Sequence, residues 1–323
     1  MIAFQFNTGT AQDIQYSQFY ASPLYLNPAL AGTSDQHRVV ANFRDQWPSI
    51  PGSFISYSIS YDVNIAEANS GLGFTVNRDQ AGSGGLATTN ITGYYAYNIK
   101  LSRKLALRPA VGIGYGLRSI DVTRLKFGDQ LLTGNGQSYQ SNALSDNVGY
   151  VDLSAGGILY SNEFWIGYSI FHINQPNNSL LGQENFIDAR HSIHAGYRLP
   201  MRRTVKREIV RSMTIAANYK AQGQWDQFDL GLYYFMKPFI MGVWYRGIPG
   251  LKAYKAGYQN NDALAILAGV HFQNFKFAYS YDITLSKIWG NTGGAHEVSI
   301  IYEYINPRKK RKHRRVKLAC PKF

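Results

Sequence analysis

Between about His37 and Ile305 the chain alternates apolar and polar residues in stretch after stretch, and hardly any of it reads as helix. In Phe275-Lys276-Phe277-Ala278-Tyr279-Ser280-Tyr281-Asp282-Ile283, the residues Phe275, Phe277, Tyr279, Tyr281 and Ile283 fall on one face. Successive strand side chains point to opposite sides, so each such stretch has one greasy face and one polar face. Strands of about ten residues with a greasy outside, joined by connections whose length depends on the side, make the pattern of a transmembrane β-barrel.

Composition agrees. Aromatic residues are 14% of the 323, with 24 Tyr, 17 Phe and 31 Gly, a mix that suits strands and tight turns. No run approaches the ~20 apolar residues of a spanning helix. A barrel hides its hydropathy, because every second residue can face water. The single Cys320 excludes an internal disulfide and says little about redox compartment. Residues 1–11 are mildly apolar and end in Gly9-Thr10-Ala11, which reads as the remnant of an export signal lacking its positive start.

Residues 12–36 do not alternate and form an irregular lead-in. Asn27 followed by Pro28 marks the opening of a short helical turn. Strands are then expected at about 37–46, 53–63, 71–79, 87–99, 105–118, 149–159, 163–173, 189–199, 207–220, 225–236, 239–247, 262–272, 275–285 and 295–305. The clearest is the fifth. Leu105, Leu107, Val111, Ile113, Tyr115 and Leu117 share one face, opposite Arg108, Gly112, Gly114, Gly116 and Arg118. Connections after even-numbered strands are mostly brief, such as Lys237-Pro238 and Gln273-Asn274. Those after the fifth, seventh and eleventh strands are long: 119–148, 174–188 and 248–261. The stretch 128–147, rich in Gly, Asn, Ser and Gln, reads as an exposed loop. Short periplasmic turns and longer outer loops are the habit of outer-membrane barrels, and an even strand count then puts both termini in the periplasm. The fold expected is all-β: a transmembrane antiparallel barrel of about fourteen strands over 37–305. A soluble β-sandwich or propeller would instead turn its greasy faces inward and show no odd–even difference in connections.

The net charge of +13 is concentrated in a C-terminal tail over 306–323. Arg308, Lys309, Lys310, Arg311, Lys312, Arg314, Arg315, Lys317 and Lys322 carry nine of the cations, with no acid among them. Such a block stays extended until it meets an anion. In a periplasmic setting nucleic acid is not the expected partner. Anionic lipid headgroups, peptidoglycan carboxylates or an acidic periplasmic protein are. Leu318, Ala319, Cys320, Pro321 and Phe323 make a compact greasy end suited to docking on another protein, with Cys320 as a small buried hydrophobe there.

The chain shows no motif of an enzyme or of a cofactor or metal site. His191 and His194 fall on opposite strand faces and cannot share a metal. Asp152, His172, His191 and Ser192 could be assembled into a rim hydrolase, but no spacing supports it. The charges Arg44, Asp45, Arg78, Asp79, Arg108, Arg118, Asp152 and Arg198 are expected to point into the lumen and pair, since the lipid face penalises them.

The lead-in carries a more specific signal. Its residues Gln12 to Tyr20 and Pro23 to Gly32, including Gln15, Ser17, Gln18, Asn27, Pro28 and Gly32, resemble the start of the mature PorP/SprF family. Asn42 to Trp47, with Arg44, Gln46 and Trp47, followed by Tyr57 to Asp62, and the ending Cys320-Pro321-Lys322-Phe323 are similar to that family as well. The resemblance implies a non-enzymatic outer-membrane component of type IX secretion and gliding motility that brings no catalytic residues and no cofactors. It implies as partners a secreted cargo adhesin bearing a type IX C-terminal domain and periplasmic secretion or motility components, reached here through the basic tail. A barrel in the bacterial outer membrane also contacts its lipid. A channel for small solutes is the alternative expectation.

Overall fold

The computed structural model describes residues 13–82, 84–133, 138, 145–204, 209–248, 261–285, 292–304 and 318. Its wall is a single antiparallel sheet in which each strand pairs with its neighbours in sequence. The strands are β1 His37–Gln46, β2 Phe54–Ile65, β3 Ser70–Ala81, β4 Leu86–Tyr97, β5 Ile99–Lys100, β6 Ala106–Ser119, β7 Asn147–Tyr160 and β8 Phe164–Phe171. They continue as β9 Arg190–Arg203, β10 Ile209–Gln222, β11 Trp225–Met236, β12 Phe239–Gly247, β13 Asn261–Phe272, β14 Phe275–Thr284 and β15 Ala295–Tyr304. Strand β5 is a two-residue stub that extends the β4–β6 turn. The wall itself therefore has fourteen strands, closed where β1 pairs with β15 from His37↔Tyr304 to Gln46↔Ala295. Closure leaves no open edge, which a sheet in lipid requires.

The greasy faces point outward. On β14, Phe275, Phe277 and Tyr279 are 42–45% exposed, whereas Lys276, Ala278, Ser280 and Asp282 are buried. The same holds on β6, where Ile113 is 66% exposed and Gly112, Gly114 and Gly116 are buried. A soluble sandwich would show the reverse. Outer aromatics such as Tyr97, Phe239 and Tyr304 stand near one rim and Tyr168, Tyr219 and Tyr279 nearer the other, as girdles at two membrane interfaces do. Among the described residues no helix is long and apolar enough to cross a membrane; strands do the crossing.

One rim carries the short turns, at residues 66–69, 161–163, 237–238 and 273–274. The other carries the long connections, including 120–146 and 172–189. Within the former, residues Val122–Arg124 make a 3-10 turn and Gly128–Thr133 a short helix. The barrel's first strand starts, and its last strand ends, at the short-turn rim. Strand β9 runs past Pro200, beyond its expected end near 199. The register with β10 slips there, so a proline without an N–H sits at a bulge rather than ending the strand.

The lead-in lies inside the barrel. Tyr16 to Ala31 are almost entirely buried, through a 3-10 turn Phe19–Ala21, helix α1 Pro23–Leu26 and a second 3-10 turn Pro28–Leu30. Phe19 and Tyr20 pack on wall aromatics: Phe19 on Trp244 at 5.1 Å and Tyr20 on Trp165 at 5.6 Å between centroids. The wall makes room where these rings lie, since Gly196 sits against Trp165 and Gly231 against Trp244. Such a packed aromatic filling is a core, and the lumen is plugged by it.

Six of the eight charges expected in the lumen turn inward: Arg44, Asp79, Arg108, Arg118, Asp152 and Arg198. Asp45 and Arg78 do not. They share the outer face with Phe43 and Phe74, close to the long-connection rim. A charge there reaches the interface and costs only ~0–1 kcal/mol, not the penalty of the membrane centre.

Candidate functional site

Three tiers of contacts hold the plug, from the long-connection rim down to the short-turn rim. Asp13, the first described residue, lies at the long-connection end, where its backbone N–H donates to Gln222 Oε1 at 3.3 Å. Its carboxylate meets His172 Nε2 at 2.9 Å and Arg190 Nη1 at 3.0 Å. The other ring nitrogen of His172 meets Asp152 of β7 at 2.9 Å. Burial alone would lower the imidazole pKa, but the facing Asp13 and Asp152 carboxylates outweigh it and raise it to about 10. Burial acts to raise the Asp13 pKa, and His172⁺ and Arg190 more than reverse this, leaving it well below the usual carboxylate range. The Arg190 guanidinium also lies over the Tyr25 and Phe171 rings at 4.4 and 4.3 Å.

The middle tier is a buried charge cluster. Arg44 of β1 bonds Asp282 of β14 at 2.9 Å, Glu297 of β15 at 3.1 Å and the plug hydroxyl Ser17 Oγ at 2.9 Å. Glu297 accepts from the backbone N–H groups of Ser17 at 2.7 Å and Gln18 at 3.2 Å. Ser17 Oγ donates to Asp282, and Gln18 Nε2 donates to the Glu297 carbonyl at 3.0 Å. Arg246 of β12 joins Asp229 at 3.1 Å and Asp282 at 3.3 Å. Lower down, Asn27 Nδ2 donates to the Gly157 and Tyr168 carbonyls at 3.2 and 3.1 Å, and lies 3.1 Å from His194 Nε2. Asn27 Oδ1 accepts from Ala29 N, capping the 3-10 turn that Pro28 opens. At the bottom, Asp62 Oδ2 accepts from Gly32 N at 2.8 Å while Arg38 pairs with Asp62 Oδ1 at 2.7 Å, and Arg108 donates to the Ala31 carbonyl.

Above the plug a vestibule of about 600 Å³ opens toward the long-connection rim. Its floor is Asp13, Ile14 and Gln15. Trp47, Phe54, Phe186 and Trp225 give it aromatic walls, and Arg118, Lys220, Asp79 and Asp226 give it charges of both signs. Trp47 takes a positive φ of 63° and stacks edge-on against Phe54 at 5.6 Å.

The residues singled out in the lead-in and first strand thus converge. Ser17, Gln18, Arg44 and Gln46, whose Oε1 accepts from Arg44 Nη2 at 3.3 Å, share the middle tier. Asn27, Pro28 and Gly32 hold the lower part, and Gln15 and Trp47 line the vestibule. Asp282, Glu297, Asp229 and Arg246 were not singled out from sequence, although each lies at an inward position of its strand. Asp152 and His172 do meet. His191 instead faces outward, bonded to the Tyr168 hydroxyl at 2.7 Å, and Ser192 faces inward, bonded to Asn218 at 3.0 Å. Among the described residues no group of three or more His, Cys, Asp or Glu side chains is placed to hold a metal ion. The expected partner-binding residues Arg308, Lys309, Lys310, Arg311, Lys312, Arg314, Arg315, Lys317, Cys320, Pro321 and Phe323 lie outside the described residues, as do residues 1–11. Leu318 is described, and it is buried within the apolar core.

A closed barrel with an apolar outer belt, a plugged lumen and rims of unequal length defines a bacterial outer-membrane protein. The chain belongs to the PorP/SprF family of type IX secretion system membrane proteins, whose profile it matches over residues 8–302. No curated protein matches it in sequence. Solved structures similar to it are outer-membrane barrels. The Acinetobacter baumannii outer membrane protein Omp33 is 8% identical, with 84% of this chain and 100% of that one covered and a TM-score of 0.46. The P. putida toluene transporter TodX is 10% identical, with 87% and 93% covered and a TM-score of 0.48.

Proposed function

We propose that this protein is a non-enzymatic partner in type IX secretion and gliding motility, which helps export a secreted cargo adhesin or holds it at the cell surface. In this reading the long connections face outward. The short turns, both strand ends and the basic tail face the periplasm, which follows the habit of outer-membrane barrels. The family supports a secretion role. The observation that carries the finer reading is the plug: with the lumen filled by residues 13–36 and tied down by buried charges, the surface left for a partner is the vestibule and its loops. The mixed charges and aromatic walls of the vestibule suit a polypeptide segment of the cargo better than a uniform solute. Cargo contact is therefore assigned to the vestibule, and the tail residues 308–323 to a periplasmic secretion or motility component.

The test separates this reading from a small-solute channel. Purified full-length protein inserted in a planar bilayer is expected to stay closed. A steady conductance of porin type would replace the cargo-holding reading with the channel.

A further inference from the structure

The short-turn rim carries an arrangement that the plug and vestibule do not explain. Strand β9 ends Met201-Arg202-Arg203 and β10 begins Ile209-Val210-Arg211. Their register slips twice in this stretch: Ser212 faces Pro200, Arg211 faces Arg202 and Ile209 faces Arg203. Nearer the membrane centre, Met213 and Ile215 of β10 share the outer face with Leu199 and Tyr197 of β9. Arg211 continues that outer face, and the bulge at Met201 brings Arg202 opposite it. Both arginines are exposed, as are Arg203 and Lys237. Lys237 belongs to the same patch, since its backbone N–H donates to the Val210 carbonyl at 3.1 Å. Among the described residues no salt bridge joins any of the four to a carboxylate.

Like charges directly opposite one another on paired strands destabilise the pair. This pair also lies where the apolar belt ends: Met201 is 62% and Phe239 49% exposed beside it, with Leu199 just below. An anion between the arginines removes the repulsion, and an anion carrying acyl chains also covers the neighbouring apolar side chains. An acidic protein would satisfy only the first. We propose that Arg202 and Arg211, flanked by Arg203 and Lys237, hold the phosphate headgroup of an anionic glycerophospholipid. Arginine's planar fork suits phosphate oxygens. The choice of glycerophospholipid rests on the reading of the short turns as periplasmic, because that rim then meets the glycerophospholipid leaflet of the outer membrane.

Full-length protein in neutral detergent is offered phosphatidylglycerol, phosphatidylcholine or lipid A, and retained lipid is counted by native mass spectrometry. Phosphatidylglycerol is expected to be retained over phosphatidylcholine. The double variant Arg202→Gln/Arg211→Gln is expected to lose about tenfold in that retention. Arg124→Gln at the opposite rim is expected to leave it unchanged. Should the double variant not fold, Lys237→Gln, outside the paired ladder, is expected to give a smaller loss in the same direction. Equal retention of the two glycerophospholipids, or unchanged retention in the folded variants, overturns the headgroup site and leaves the orientation standing. Preference for lipid A that is lost with the same variants overturns the orientation itself.

Discussion

Arg44 shows how much one side chain carries when its partners are buried. It joins the plug at Ser17 to the wall at Asp282 and Glu297, with both carboxylates removed from solvent. Removing one member of such a cluster leaves uncompensated charge, at a cost of about 3–5 kcal/mol. Arg44→Ala is therefore expected to lower the urea midpoint of the folded barrel markedly. Arg44→Lys should recover only part of it, because an ammonium cannot span Ser17, Asp282 and Glu297 as the guanidinium does. At the plug's upper end the effect is pH-dependent. The His172 pKa is raised from the ordinary imidazole value of 6.5 to about 10, so its stabilising contribution is full below about 6.5 and fades as pH rises, disappearing above about 10. Asp13 is shifted the other way, so its contribution is present above the usual carboxylate range and is lost only in strong acid. Urea midpoints measured from pH 6 to 10.5 should fall in the wild type and stay flatter in His172→Phe. Parallel curves would remove His172 from the contacts that hold the plug's upper end.

At the scale of elements, the strands were largely legible and the plug was not. Period-two alternation places side chains on faces without reference to any partner, so the fourteen wall strands and the outward face of β14 follow from local pattern. The misplaced end of β9 arose because Pro200 reads locally as a stop, while the sheet absorbs it as a bulge. The lead-in has no period. Its Asn27-Pro28 turn could be expected, but its partners are some 130 to 280 residues away, as with Gly157 for Asn27 and Glu297 for Ser17. The wall is shaped to receive it. Gly32 has φ +65°, and a Cβ there would stand 2.6 Å from Gly71 Cα; a Cβ on Gly156 would fall on Asn27 Oδ1. Inward charges such as Asp282 and Glu297 could be assigned to the lumen face by parity. That they grip the plug could not.

For the whole molecule, plug and tail make separable demands. Deleting residues 308–323 removes no described wall strand and no plug residue, since β15 ends at Tyr304, and takes only Leu318 from the described core. The shortened protein is expected to reach the outer-membrane fraction as a folded barrel but to lose cargo display at the cell surface. Normal display would sink the assignment of the tail to a periplasmic partner. The sequence by itself determined a fourteen-stranded wall, its greasy exterior and two unlike rims, because alternation and turn length are local and repeat around the barrel. Only the tertiary structure decided that the lumen is closed and what closes it. Burial of an aperiodic segment depends on complementary charges and cavities supplied by distant strands, and those come into being when the barrel closes around it.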